Sequence, residues 1–325
     1  MDYVAVTLKG IEDLASDEIK SALKSKPKKI AEGRLFFSAK NIDKFSPRLI
    51  KRIYSLIDYF DFSSEQELVK KCSKLKFSFK GTFVVRCSRQ GVHDFDSRVV
   101  ERDVGEIIYN KGFKVDLKNP DNIIVVDIYN NKCFIGFLVK DNLCKRPYRV
   151  KVFSSSINAC LAAAAVKFSD IKPSHVLLDP FCRDGVIAIE AYLLGCKNVF
   201  AFDEAVNSIR NAKINSKLGG AKIKILKCGT DSLDLKFDEG SVDRIVTYPP
   251  FLSKNKKQKV IESIYSDFFY QARVLLKKSG ALTILTPKPE LVEQYASKLG
   301  FKKIKEQDVS VSNNNYKLII FKKLK

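Results

Sequence analysis

From Val176 onward, short apolar runs alternate with longer stretches of helical periodicity. Runs near residues 176–181, 198–203, 222–228, 242–248 and 281–286 predict five strands with helices between them. Strands that alternate with helices build a parallel sheet. Two further runs, near 302–310 and 316–323, flank Ser312-Asn313-Asn314-Asn315 and predict a closing antiparallel hairpin. The first half is mixed. Its pattern predicts a strand at Tyr3–Leu8, a helix at Ile11–Lys24, a lysine-rich turn around Pro27, a strand at Arg34–Phe37, and helices around Leu49–Leu56 and Ser64–Cys72. A strand at Thr82–Arg86, a helix near Arg98–Asn110 and paired strands around Ile123–Ile128 and Cys133–Val139 follow. Lys140–Val152 is polar and basic, and Pro147 disfavours helix there, so it reads as a linker. Ser154-Ser155-Ser156 is expected to cap a helix over Ile157–Phe168.

The strand ends carry the chemistry. Val176 to Leu178 runs into Asp179-Pro180-Phe181-Cys182-Arg183-Asp184-Gly185, and a helix starts at Val186. Strand, tight turn and helix N-terminus form the usual platform for a nucleotide-like ligand in an open α/β sheet. Gly185 permits close backbone approach. The second run ends in Asp203, an acid about 20 residues beyond the first turn and so placed for ribose hydroxyls. The third is followed by Thr230-Asp231, and the fourth by Thr247-Tyr248-Pro249-Pro250-Phe251. One glycine turn says little, but four polar strand ends in series say much more.

Composition narrows the picture. At 325 residues the chain has room for two or three domains. No apolar run is long enough to span a membrane and no signal peptide is evident, so a cytoplasmic protein is expected. The 8 cysteines form no Cys-x-x-Cys pair, and the 2 histidines, His93 and His175, lie far apart. No metal site is expected, and the cysteines read as reduced thiols. The net charge of +21 fits a polyanionic partner, although lysine dominates the basic count and a lysine-rich composition would produce the same excess.

Residues 150–325 resemble a Rossmann-fold S-adenosylmethionine-dependent methyltransferase. Asp179-Pro180-Phe181-Cys182 with Ile189-Glu190-Ala191 is similar to the Asp-Pro-x-Cys-Gly-x-Gly…Ile-Glu-Ala of its RNA-modifying branch, and Tyr248-Pro249-Pro250-Phe251 sits at the Asn/Asp/Ser-Pro-Pro-aromatic signature of amino-methyltransferases. Upstream, Thr82 to Arg89, His93, Phe95, Ser97, Glu101 and Gly105, then Val115-Asp116-Leu117…Pro120-Asp121, resemble a THUMP RNA-binding domain. The opening, Tyr3 to Gly10 and Ile11-Glu12-Asp13-Leu14, resembles the ferredoxin-like domain that precedes THUMP in tRNA methyltransferases.

The resemblance implies residues 1–76 as a ferredoxin-like domain, 77–140 as THUMP, 141–153 as linker and 154–325 as an α/β methyltransferase domain with a mostly parallel seven-stranded sheet. It implies S-adenosylmethionine as cofactor, held by Asp179, Pro180, Phe181, Cys182, Gly185, Asp203 and Asp231. It implies tRNA as partner, gripped by Arg86, Arg89, His93 and Arg98, with Lys254, Lys256 and Lys257 on phosphates beside the pocket; no obligate protein partner is evident. Tyr248, Pro249, Pro250 and Phe251 would position a flipped guanine for transfer to its exocyclic N2 amine. Two family positions differ: Arg183 stands where a glycine is usual, and Tyr248 where a small acceptor is. Two other readings remain open: a THUMP-type tRNA-binding protein without catalysis, and an amino-methyltransferase acting on another base such as adenine N6.

Overall fold

The computed structural model describes residues 1–251 and 258–324. The chain divides into two units, Met1–Thr7 with Ser16–Leu143, and Leu8–Ala15 with Cys144–Lys325. Among the described residues, no helix is long and apolar enough to cross a membrane.

The first unit carries β1 (Asp2–Thr7), β2 (Lys28–Ala31), β3 (Arg34–Ser38), β4 (Ile50–Asp61), β5 (Thr82–Gln90), β6 (Lys114–Val115), β7 (Asn122–Tyr129) and β8 (Lys132–Lys140). These form one sheet in the order β2-β3-β1-β4-β8-β7-β5-β6. The boundary expected at residue 76 therefore does not separate two sheets, because β4 pairs with β1 on one side and β8 on the other. The helix expected around Leu49–Leu56 is instead this central strand. Ile50, Ile53, Tyr54 and Ile57 fall at helical spacing, but register shifts at Ile53/Tyr54 and Leu56/Asp58 reset the strand alternation and hide its period of two. The β-branched and aromatic content suits a strand.

Helix α1 (Glu12–Leu23) follows β1, and helices α2 (Glu65–Ser73) and α3 (Ser97–Tyr109) cover one face of that sheet. Leu68, Val100, Val104 and Ile108 pack there with Phe83, Val85, Ile124 and Val126. Asp127 and Val125 alternate to the opposite face of β7, where the Arg34 guanidinium forks onto the Asp127 carboxylate at 3.0 and 2.7 Å. Tyr54 and Ser88 donate their hydroxyls to the same carboxylate, each at 3.2 Å. Both charged groups are buried.

The second unit carries β9 (Val176–Asp179), β10 (Asn198–Asp203), β11 (Lys224–Lys227), β12 (Val242–Thr247), β13 (Leu276–Thr286), β14 (Phe301–Val311) and β15 (Asn314–Lys323), in the order β11-β10-β9-β12-β13-β15-β14. The first five are parallel and β15 runs antiparallel to both neighbours, the α/β arrangement expected from the sequence. Strand order reverses beside β9, which opens a crevice at the C-terminal ends of β9 and β12.

Three expectations are corrected here. Helix α4 spans Ala159–Phe168 and is capped by Asn158, whose Oδ1 accepts from the Cys160 N–H at 2.8 Å, not by the serines. The expected linker is bonded into the second unit. Arg146 donates to the buried Glu190 at 2.9 Å, the Tyr148 hydroxyl to the same carboxylate at 2.7 Å, and Arg149 to the buried Asp184 at 2.8 Å. Asn215 also clamps the Lys151 backbone, accepting from its N–H and donating to its carbonyl. Finally, Cys144 and Cys160 form a disulfide. Their separation of 16 residues matches no short cysteine motif, and it is the connector lying against α4 that brings them together.

Removing one partner of a buried charged pair leaves the other charge uncompensated, at about 3–5 kcal/mol. Asp127→Ala is therefore expected to lower the stability of the first unit by that amount in a urea unfolding curve, whereas a surface change such as Arg98→Ala is expected to move it by about 0.5 kcal/mol or less.

Candidate active site

The crevice is built by the turn between β9 and α5 (Val186–Leu193). Its second corner is Arg183, at φ 48°, and its last residue is Gly185, at φ 81°. The turn is pinned to β10 by the Cys182 N–H, which donates to the Phe202 carbonyl at 2.8 Å, and is closed on itself by the Gly185 N–H, which donates to the Cys182 carbonyl at 2.7 Å. Asp203, at the end of β10, accepts the Arg183 N–H on Oδ2 and the Ala205 N–H on Oδ1, both at 3.0 Å. Each carboxylate oxygen keeps a second lone pair for a ligand hydroxyl.

A cavity of about 220 Å³ opens over these ends. Its wall takes Cys228, Gly229 and Thr230 from beyond β11, Asp203 from β10, Pro180, Phe181 and Arg183 from beyond β9, and Pro250 from beyond β12. Phe153 and Ser155, from the segment before α4, form another side. The wall therefore contains Pro180, Phe181, Asp203 and Pro250 of the residues singled out in the sequence. It also contains Ser155, read in the sequence only as part of a helix cap, Thr230, quoted there only beside Asp231, and Glu204, which follows the end of β10 and which no motif marked.

The other candidates lie behind the wall or at its rim. Asp179 is buried and bonds across the crevice floor: its Oδ1 accepts from the Thr247 hydroxyl at 2.7 Å and from the Phe181 N–H at 3.3 Å. Its Oδ2 has no hydrogen-bond partner among the described residues. Burial pushes this carboxyl up to about 7, against the downward pull of Thr247 and Phe181. Cys182 is buried beneath the turn. At Gly185 an added Cβ would meet the Ala212 side chain at 3.1 Å, so this glycine serves the packing of the turn against helix α6 (Val206–Leu218). Asp231 is exposed and accepts from Ser232 at 3.0 Å.

Tyr248 is buried, with its ring beside Phe251 (centroids 5.9 Å) and Tyr316 (6.3 Å). The Arg183 guanidinium lies 4.4 Å from the ring centroid, so the two positions that differ from the family pattern touch each other. Burial raises the Tyr248 phenol, and Arg183 opposes that shift. Tyr265 donates its hydroxyl to the Pro250 carbonyl at 2.8 Å, which fixes the Pro-Pro turn. Lys254, Lys256 and Lys257 lie outside the described residues.

In the first unit, Arg86 and Arg98 border a groove that also takes Arg102, Tyr109, Val115 and Leu117. Arg98 is the freest of the four candidates, its side chain 87% exposed although paired to Asp96. Arg89 and His93 lie elsewhere. Arg89 donates to the His93 carbonyl at 3.2 Å and sits over Phe95, while His93 Nε2 is 2.7 Å from the Asn130 carbonyl. The His93 ring stacks on Phe62, which ties it into the fold.

The raised Asp179 carboxyl has a stability consequence. Its folded-state value exceeds its unfolded value, so the folded protein holds this proton more tightly. Stability is lost as pH rises from about 4 toward about 7 and is level above that. Asp179→Asn is expected to remove this component, so the variant should gain melting temperature over the parent at pH 8 and lose that advantage at pH 5.

The chain is similar to known sequences and structures. Residues 146–317 match the family described as RMKL-like, methyltransferase domain, and residues 61–138 match the THUMP domain. A tRNA (guanine(6)-N2)-methyltransferase of Archaeoglobus fulgidus is 27% identical, over 98% of this chain and 91% of its own length. One of the same name from Thermus thermophilus is 32% identical over 66% of this chain and 64% of its own length. The crystal structure of TrmN from Thermus thermophilus superposes with a TM-score of 0.84 at 26% identity, covering 99% of both chains.

Proposed function

The chain belongs to the RMKL-like methyltransferase family, and from that premise we propose that it transfers a methyl group from S-adenosylmethionine to the exocyclic N2 amine of a guanine in tRNA. The observation that carries this reading is that Asp203 and Pro250 stand on the wall of one cavity. A carboxylate placed for a ribose diol and the end of a Pro-Pro-aromatic turn thus share one space, as transfer between a nucleoside cofactor and a base requires. The names of the two relatives cited above favour guanine N2 over adenine N6.

The residues present fit the cofactor. Asp203 offers a free lone pair on each oxygen toward a diol. Phe181 and Ile264 provide apolar wall, and Arg183 a cation. When bound, the cofactor supplies an electrophilic methyl group on a sulfonium. The chain's own contribution is positioning. Asp179, by accepting from Thr247, anchors the strand end from which Tyr248 and Pro249 follow, and Tyr265 anchors Pro250. The backbone carbonyls of Tyr248 and Pro249 are the acceptors that would orient the guanine amine, with Phe251 as the stacking face. In this reading Asp179, Cys182 and Gly185 shape the turn from behind, and Asp231 acts at the rim.

The tRNA is held through its phosphates, which suits the +21 charge. Arg86 and Arg98, with Tyr109 beside them, would grip a single-stranded end by charge and stacking. The THUMP unit then sets which guanine reaches the cavity, and guanine 6 is the position to examine first because a relative matched over nearly the whole chain carries that name.

The test is methyl transfer from labelled S-adenosylmethionine to unmodified tRNA transcripts, followed by nucleoside analysis. N2-methylguanosine is the expected product. Phe251→Ala is expected to lower kcat/KM about 100-fold while leaving cofactor affinity within about twofold, since it removes only base positioning. Labelled adenosine in place of guanosine, or tRNA binding without transfer, would overturn the proposal.

A further inference from the structure

Arg183 breaks a backbone rule. At φ 48° a residue with a Cβ pays roughly 1–2 kcal/mol that a glycine would not. The side chain is held in place in return: it donates to the Ser155 carbonyl at 3.0 Å and its guanidinium lies over the Tyr248 ring at 4.4 Å. It also lines the cavity, where it is the only cationic residue among the described lining residues, on a wall that it shares with Asp203 and Glu204.

Sheet order gives the cavity a direction. Its wall runs from beyond β11, past Asp203 on β10, to Arg183 and Pro250 beyond β9 and β12. With the ribose at Asp203 and the methyl group delivered toward the Pro-Pro turn, the amino-acid end of the cofactor falls on the β9 side. That end carries a carboxylate, and an arginine fork is the side chain best matched to one. The bond to Ser155 uses one N–H of Nη1 and the Tyr248 hydroxyl takes a side-chain hydrogen bond from the guanidinium, which leaves the rest of the five-donor fork for a ligand.

We propose that Arg183 is the cofactor-binding residue that takes the α-carboxylate of S-adenosylmethionine, with the Tyr248 ring as the platform that aims its guanidinium. The proposal rests on the cofactor assignment made above and names the group that reads one end of it. It also gives the Tyr248 side chain a role apart from the base: the aromatic face supports the cation, and the neighbouring backbone carbonyls face the amine.

The experiment is calorimetric titration of the full chain with S-adenosylmethionine and with its decarboxylated form, which keeps the sulfonium, the amine and the nucleoside. The parent is expected to prefer the carboxylated cofactor about 10- to 100-fold, the range for a charge-assisted pair. Arg183→Gly is expected to erase that preference and Arg183→Lys to retain part of it. Tyr248→Phe should keep it and Tyr248→Ala should reduce it. Because glycine suits φ 48°, Arg183→Gly is expected to melt no lower than the parent, so a lost preference cannot be ascribed to misfolding.

Equal affinity of the parent for the two cofactor forms, or an unchanged preference in Arg183→Gly, would overturn the proposal. So would an Arg183→Gly variant that keeps the preference but binds tRNA more weakly in a salt-dependent way, since the guanidinium would then serve a phosphate. Failure of the parent to bind S-adenosylmethionine at all overturns both this proposal and the cofactor assignment. Intact selectivity without methyl transfer to tRNA supports this proposal and counts against the substrate reading alone.

Discussion

The hydrogen bond from Thr247 to Asp179 is the contact on which the site depends. It joins the ends of β9 and β12 where the strand order of the sheet reverses, and so it closes the floor of the crevice between them. A carboxyl group in that place is expensive. It is buried, one oxygen lacks a partner among the described residues, and its proton is held up to about pH 7. The fold accepts this cost because the anchored strand end carries the Pro-Pro turn on one side while the β9 turn carries the ligand wall on the other. A floor made of apolar side chains would be more stable and would leave the two ends free to drift by the ångström that positioning chemistry cannot spare.

The turn above that floor is supported from behind by what reads in the sequence as a connector. Arg146 and Tyr148 converge on Glu190, and Arg149 reaches Asp184 at the corner of the turn. Buried pairs of this kind are poor sources of stability, since desolvation offsets most of the attraction. Their value is geometric. Glu190 has an otherwise apolar helix around it, so the segment that carries Arg146 and Tyr148 satisfies that carboxylate in one register only. The Asn215 clamp on Lys151 and the disulfide to Cys160 reinforce the same register.

What could be read in advance follows from range of interaction. The β9 to β12 strand ends were legible because each is a local event, an apolar run terminated by polar or glycine chemistry. The central strand β4 was not, because its bulges arise from pairing with β8, a partner some 80 residues away in sequence, and they turn the alternation of two into spacings that mimic a helix. The capping of α4 was misread for a related reason: three serines outweigh one asparagine by propensity, and only the path of the connector decides which residue meets the helix N-terminus. The cavity wall itself was half legible. Asp203 and Pro250 announce themselves by type, whereas Asp231, of the right type and at the right strand end, turns its carboxylate to Ser232 and leaves the wall to Gly229 and Thr230.

The two departures from the family pattern gain meaning once they are seen in contact. Taken singly, an arginine in a glycine position is strain and a tyrosine in an acceptor position is bulk. Placed 4.4 Å apart they become a stacked cation and ring, each occupying the space the other needs filled. Local rules of propensity fail most often where a site imposes its own demand, and a positive φ at a side-chain-bearing residue on the wall of a ligand cavity is such a failure. If the arginine were only tolerated, its guanidinium would have no reason to be held on both sides, by the Ser155 carbonyl and by the Tyr248 face, at the wall of the cavity.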